Sequence, residues 1–80
     1  MNKKRNVLYY EFGDDVSKEE KEKFFSTMNS SGWDFYNSKN LCFSYGLEKV
    51  MTLQKLLDQY SDILFQTILI RADDSEISFV

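Results

Sequence analysis

The residues of this chain most able to do chemistry are the carboxylates Glu11, Asp14 and Asp15, which flank Gly13 at the end of an apolar stretch. Three oxygen ligands so spaced are the kind of set that holds magnesium or manganese and activates water. The same pattern is also what a polar turn after a strand looks like. Other reactive groups are few. The chain has no His, which excludes a Ser-His or Cys-His nucleophile pair. One cysteine, Cys42, excludes both an internal disulfide and a cysteine-built zinc site. It lies inside an alternating apolar pattern, as a buried thiol would. The three glycines, Gly13, Gly32 and Gly46, are scattered at breaks and form no phosphate-binding loop. This inventory favours binding over catalysis, and no cofactor is expected.

Composition narrows the class of partner. Eighty residues make one small domain, 1–80, with a thin core. Seven Phe, five Tyr and one Trp supply unusually many rings for that size. Some of these fill the core, and an excess at the surface would mark an interface. The net charge of −3 argues against direct nucleic-acid binding, which needs a basic face to displace counterions. It suits a basic protein partner. The apolar run after the basic residues Met1–Arg5 ends at Glu11, too short for a signal peptide or a membrane span. With a single cysteine, this leads to the expectation of a cytoplasmic protein without membrane contact.

The elements that must position these groups follow from periodicity. Asn6–Phe12 alternates Leu8, Tyr10 and Phe12 with Val7, Tyr9 and Glu11, as in a strand with one buried face. Ser17 and Glu20 form a capping-box pattern for a helix running to about Ser30, with Phe24, Phe25 and Met28 inward and Gly32 as its stop. Trp33–Tyr36 and Leu41–Tyr45 read as a hairpin across Asn37–Asn40. Val50, Leu53, Leu56, Leu57 and Tyr60 mark a second helix, starting at Thr52 or near Leu47. Ile63–Arg71 is a strand, Ala72–Ser75 a turn, and Glu76–Val80 has the makings of a short extra strand. The fold class is therefore α+β with ferredoxin-like β-α-β-β-α-β order. It implies a four-stranded antiparallel sheet, strand order 4-1-3-2, with both helices on one face.

That topology has two consequences. The last strand is apolar on both sides, with Ile63, Phe65 and Leu69 on one and Leu64, Ile68 and Ile70 on the other. Only one side meets the helices, so the other is expected to be covered by the C-terminal tail, a second copy in a homodimer, or a partner. In addition, Glu11, Asp14, Asp15, Asp58 and Asp62 are gathered at one acidic pole, with Tyr9 and Tyr36 beside them as aromatic anchors.

The Tyr10-Glu11 pair ending the first strand, then a charged helix, a hairpin, a second helix, a long apolar strand and a short tail, resembles the small CRISPR-adaptation proteins of the ferredoxin-like Cas-two type. It is similar also to the antitoxin ribonucleases of that superfamily. Those families carry Tyr-Asp at the end of the first strand, the Asp placed for metal at a dimer cleft. Glu11 stands at that position here. The resemblance implies a dimer and, as an alternative function, a metal-dependent phosphodiesterase using Glu11. The residues themselves point first to a non-catalytic protein-binding or inhibitor protein, of antitoxin, immunity or phage-borne anti-defence type.

Overall fold

The computed structural model describes residues 4–36 and 39–73. Strand β1 (Lys4–Phe12) leads to helix α1 (Lys18–Ser30). Strands β2 (Asp34–Phe35) and β3 (Leu41–Tyr45) follow, then helix α2 (Leu47–Asp58) and strand β4 (Leu64–Asp73). They form an antiparallel sheet of order β2-β3-β1-β4. This is the ferredoxin-like β-α-β-β-α-β arrangement expected from the periodicity.

Local chemistry accounts for the element ends. The Ser17 hydroxyl accepts from the Glu20 amide at 3.1 Å, while the Glu20 carboxylate accepts from the Ser17 amide, closing the capping box. Trp33 leaves α1 with its amide donating to the Met28 carbonyl, and its fully buried ring anchors the entry to β2. Helix α2 begins at Leu47, and Thr52 is an interior residue whose hydroxyl donates to the Glu48 carbonyl. The N-cap is Gly46, with φ 97° and ψ 147°, a region other residues enter only under strain. Strand β4 extends through Ala72 and Asp73, where a turn was expected. Ala72 pairs with Arg5 and Asp73 with Lys4, and the Lys4 ammonium meets the Asp73 carboxylate at 3.4 Å. The extra strand expected at Glu76–Val80 lies outside the described residues.

The alternation of β1 divides the sheet. Leu8 and Tyr10 face the helices and join Phe24, Met28, Trp33, Cys42, Leu53 and Ile63 in the core. Aromatic edges knit its outer part. The Tyr10 ring stands 5.4 Å from Phe24 and 5.7 Å from Phe35, and Phe24 stands 5.4 Å from Tyr60. Two polar residues, Asn6 and Ser44, are buried beside these groups. The fully buried Asn6 amide donates to the Gly46 carbonyl at 2.8 Å and the Ser44 hydroxyl at 3.2 Å. Its oxygen accepts from Arg71 Nε at 2.8 Å. Asn6 thus ties the β3–α2 turn and β4 to the central strand.

The face assignment of β4 needs correction at Leu64 and at Phe65, which was expected to share a face with Ile63 and Leu69 but is skipped by the pairing register and left 74% exposed. A β-bulge displaces the register between Glu11 and Phe12: Glu11 pairs with Gln66 but Phe12 with Leu64. Leu64, expected beside Ile68 and Ile70, therefore shares a face with Phe12 and packs against the core. Leu69 opposes Leu8 on the helix side, and Ile68 and Ile70 oppose Tyr9 and Val7 on the open side, as expected.

Because three polar groups converge on Asn6, Asn6→Leu should leave the Gly46 carbonyl and Ser44 hydroxyl without their donor. A loss of about 1–3 kcal/mol in unfolding free energy is expected by urea titration.

Candidate functional site

The acidic pole forms where β1 ends and β4 begins. The Gly13 amide donates to the Ile63 carbonyl at 2.9 Å, joining the post-β1 turn to the approach of β4. Asp15 completes that turn in the left-handed region, φ 63°, which short carboxylate and amide side chains tolerate best. Asp14 and Asp15 are both exposed.

The carboxylates ring the pole without converging. Glu11 and Asp14 line one cleft with Phe12, Gly13 and Phe65. Asp58 lines a second with Leu57, Leu64, Phe65 and Gln66, and accepts from Gln54 Nε2 at 2.8 Å. Asp62 borders a third, with Glu20, Lys23 and Tyr60. Among the described residues no three carboxylate, thiol or imidazole side chains stand close enough together to hold a metal ion. Glu11 accepts from the Tyr9 hydroxyl at 3.3 Å. Burial and the adjacent Glu11 carboxylate raise the Tyr9 phenol above its usual pKa.

The two tyrosines expected at this pole separate. Tyr9 stays beside Glu11. Tyr36 instead accepts from Arg5 Nη1 at 2.6 Å, toward the opposite end of β1, and its ring lies 4.8 Å from Phe43. Arg5 Nε also donates to the Tyr45 hydroxyl at 3.2 Å, and the guanidinium lies 5.2 Å from the centre of the Phe43 ring. The open sheet face therefore carries a ring cluster of Tyr36, Phe43 and Tyr45 around Arg5. Val7 sits between Phe43 and Ile70, 3% exposed although no helix lies over it.

Two surface features lay beyond the sequence reading. One is Phe65, the residue set out of register by the bulge and 74% exposed. It lines both the Glu11–Asp14 cleft and the Asp58 cleft. An uncharged, mostly apolar run from Leu64 to Ile70 hides such a residue, because nothing in it fixes the pairing phase. The other is Arg5, a cation on the sheet face; aromatic residues at alternate positions, Phe43 and Tyr45, were its only signal.

No helix among the described residues is long and apolar enough to cross a membrane. No family model, no curated protein and no solved structure matches the chain. The ferredoxin-like arrangement is thus a statement of fold alone, and it assigns the chain to no family.

Cys42 is fully buried in the core, and desolvation pushes its thiol up to about 12. Burial does the same to Tyr10, also to about 12. An acid whose folded pKa is raised stabilises the fold below its unfolded pKa and loses that contribution as pH climbs toward the folded value. For Cys42 this window runs from its ordinary 9.0 to about 12. Stability should therefore fall with alkalinity above about pH 9. Cys42→Ala should flatten the first part of that decline in denaturant midpoints measured across the window, leaving the part due to Tyr10.

Proposed function

We propose that this chain is a small non-catalytic protein-binding or inhibitor protein that takes a basic partner at its acidic pole. The observation that carries this reading is Phe65. An exposed aromatic residue stands between a cleft bearing Glu11 and Asp14 and a cleft bearing Asp58. A ring that fills a partner's pocket while carboxylates meet its cations has the make-up of an interface hot spot. Surrounding negative charge accelerates encounter with a basic surface, whether a nucleic-acid-binding groove or a toxin's active-site rim. Inhibitors of the antitoxin, immunity or phage-borne anti-defence type work in this way, in the cytoplasm where such targets act. The open sheet face supplies a second, apolar contact surface, with Ile68 44% and Ile70 54% exposed.

The test compares partner capture by the native chain with capture by three variants, at low and high salt. Phe65→Ala should weaken binding more than about tenfold, the scale of a hot-spot truncation. Asp14→Lys should slow association and lose much of the salt dependence. Glu22→Ala, on the exposed side of α1, should change neither. A partner retained by both pole variants would refute this reading. Magnesium-dependent phosphodiester cleavage by the native chain, lost in Glu11→Gln, would replace it with the nuclease alternative.

A further inference from the structure

We propose that the open sheet face is the interface of a two-fold homodimer in which Arg5 of each copy meets Glu11 of the other. This rests on the reading of the sheet face as a protein-contact surface and names its occupant as a second copy of this chain. The acidic pole and Phe65 remain for a different partner.

The argument starts from the row of β1 side chains on that face: Arg5, Val7, Tyr9, Glu11. A cation stands at one end and an anion at the other, six residues or about 20 Å apart. Tyrosine hydroxyls orient both. Tyr36 and Tyr45 accept from the Arg5 guanidinium, and Tyr9 donates to the Glu11 carboxylate. Between the charges the face is apolar. Val7 is flanked by Phe43 and Ile70, and Tyr9 by Leu41 and Ile68. A two-fold axis lying between the two sheets, parallel to them and perpendicular to β1 at the middle of this row, turns β1 end for end and brings the two open faces together. It lays cation over anion twice and apolar centre over apolar centre. An isologous contact requires this self-complementarity.

Sheet packing allows the same geometry. Stacked sheets lie about 10 Å apart with strands within about 30° of alignment, so the two β1 rows run over one another. An arginine and a glutamate projecting from opposite sheets span that gap. Two long strands and the five-residue β3, spaced about 4.8 Å apart and covered over at most about 25 Å, bury on the order of 700 Å² in the pair, the size of a weak, reversible interface. A single-stranded nucleic acid could stack on Phe43 and Tyr45, but the strand positions of this face set Arg5 against Glu11 and Asp34. That balance offers no counterion release.

Sedimentation equilibrium over a concentration series tests the proposal, with circular dichroism as the fold control. The native chain should show a dimer whose dissociation constant rises with salt. Arg5→Glu and Glu11→Arg should each weaken self-association by about tenfold or more. An equal mixture of the two should recover native affinity, because both charge pairs are then complementary across one heterodimer. If Arg5→Glu fails to fold, Ile70→Lys on the same face should give a folded monomer. A native chain monomeric throughout would overturn the dimer while leaving partner capture intact. A dimer indifferent to both reversals, or a mixture that fails to associate, would also overturn it. So would saturable binding of a uridine oligonucleotide that Phe43→Ala abolishes.

Discussion

Among the described residues, two helices cover one face of a four-stranded sheet and none lies over the other. In this chain that constraint decides where every other group ends up. The covered face takes Leu8, Tyr10, Cys42 and the rings around Phe24. The uncovered face must shelter its own apolar residues. It does so at Val7 by laying Phe43 and Ile70 on either side of it. A protein of this size has little core, so apolar groups left exposed on the open face are a sizeable loss of possible burial. Their presence on the open face is what motivates the proposed self-association.

The same constraint explains which features could be read in the sequence. The alternation of Leu8, Tyr10 and Phe12 leaves one phase for β1, and a slip by one residue would expose all three. Ser17 and Glu20 state the start of α1 through reciprocal hydrogen bonds, so its boundary was legible to the residue. Strand β4 offers no such phase. Leu64, Phe65, Ile68, Leu69 and Ile70 suit either face, and only the bulge opposite Glu11 decides among them. The start of α2 was obscured because its cap is a glycine with positive φ, whose role depends on the Asn6 amide reaching its carbonyl. Contacts between residues forty positions apart leave no local periodicity. Tyr36 was misplaced for a related reason. Its backbone lies near the Leu41 carbonyl, but its ring extends along the sheet to a cation that the sequence separates from it by thirty-one positions.

The candidate site was therefore legible in its charges and illegible in its hydrophobic anchor. Topology alone brings the end of β1, the start of α1, the end of α2 and the start of β4 to one pole, so the carboxylates could be placed there from element order. Their distribution among three clefts could not, because it depends on how the Gly13–Asp15 turn closes on Ile63. Phe65 emerges from the same junction. The bulge that turns Leu64 inward is what sets Phe65 outside the pairing register.

Strand β4 brings the argument back to the constraint on the sheet. Among the described residues it is an edge strand, and natural edges are usually blunted by charge, by bulges or by short length. Here Arg71 and Asp73 guard one end and the bulge at Phe65 the other. Between them Gln66–Ile70 carries no charge, and it borders the open face on which Ile68 and Ile70 stand exposed. Face-to-face contact would cover these two side chains and crowd the edge beside them. An edge-to-edge contact would pair the backbone but leave Val7, Phe43 and the Arg5 cluster facing water. A contact that also covers those groups is favoured by burial. In the proposed dimer, the tyrosine-held charges at both ends of β1 would select the orientation of the second copy.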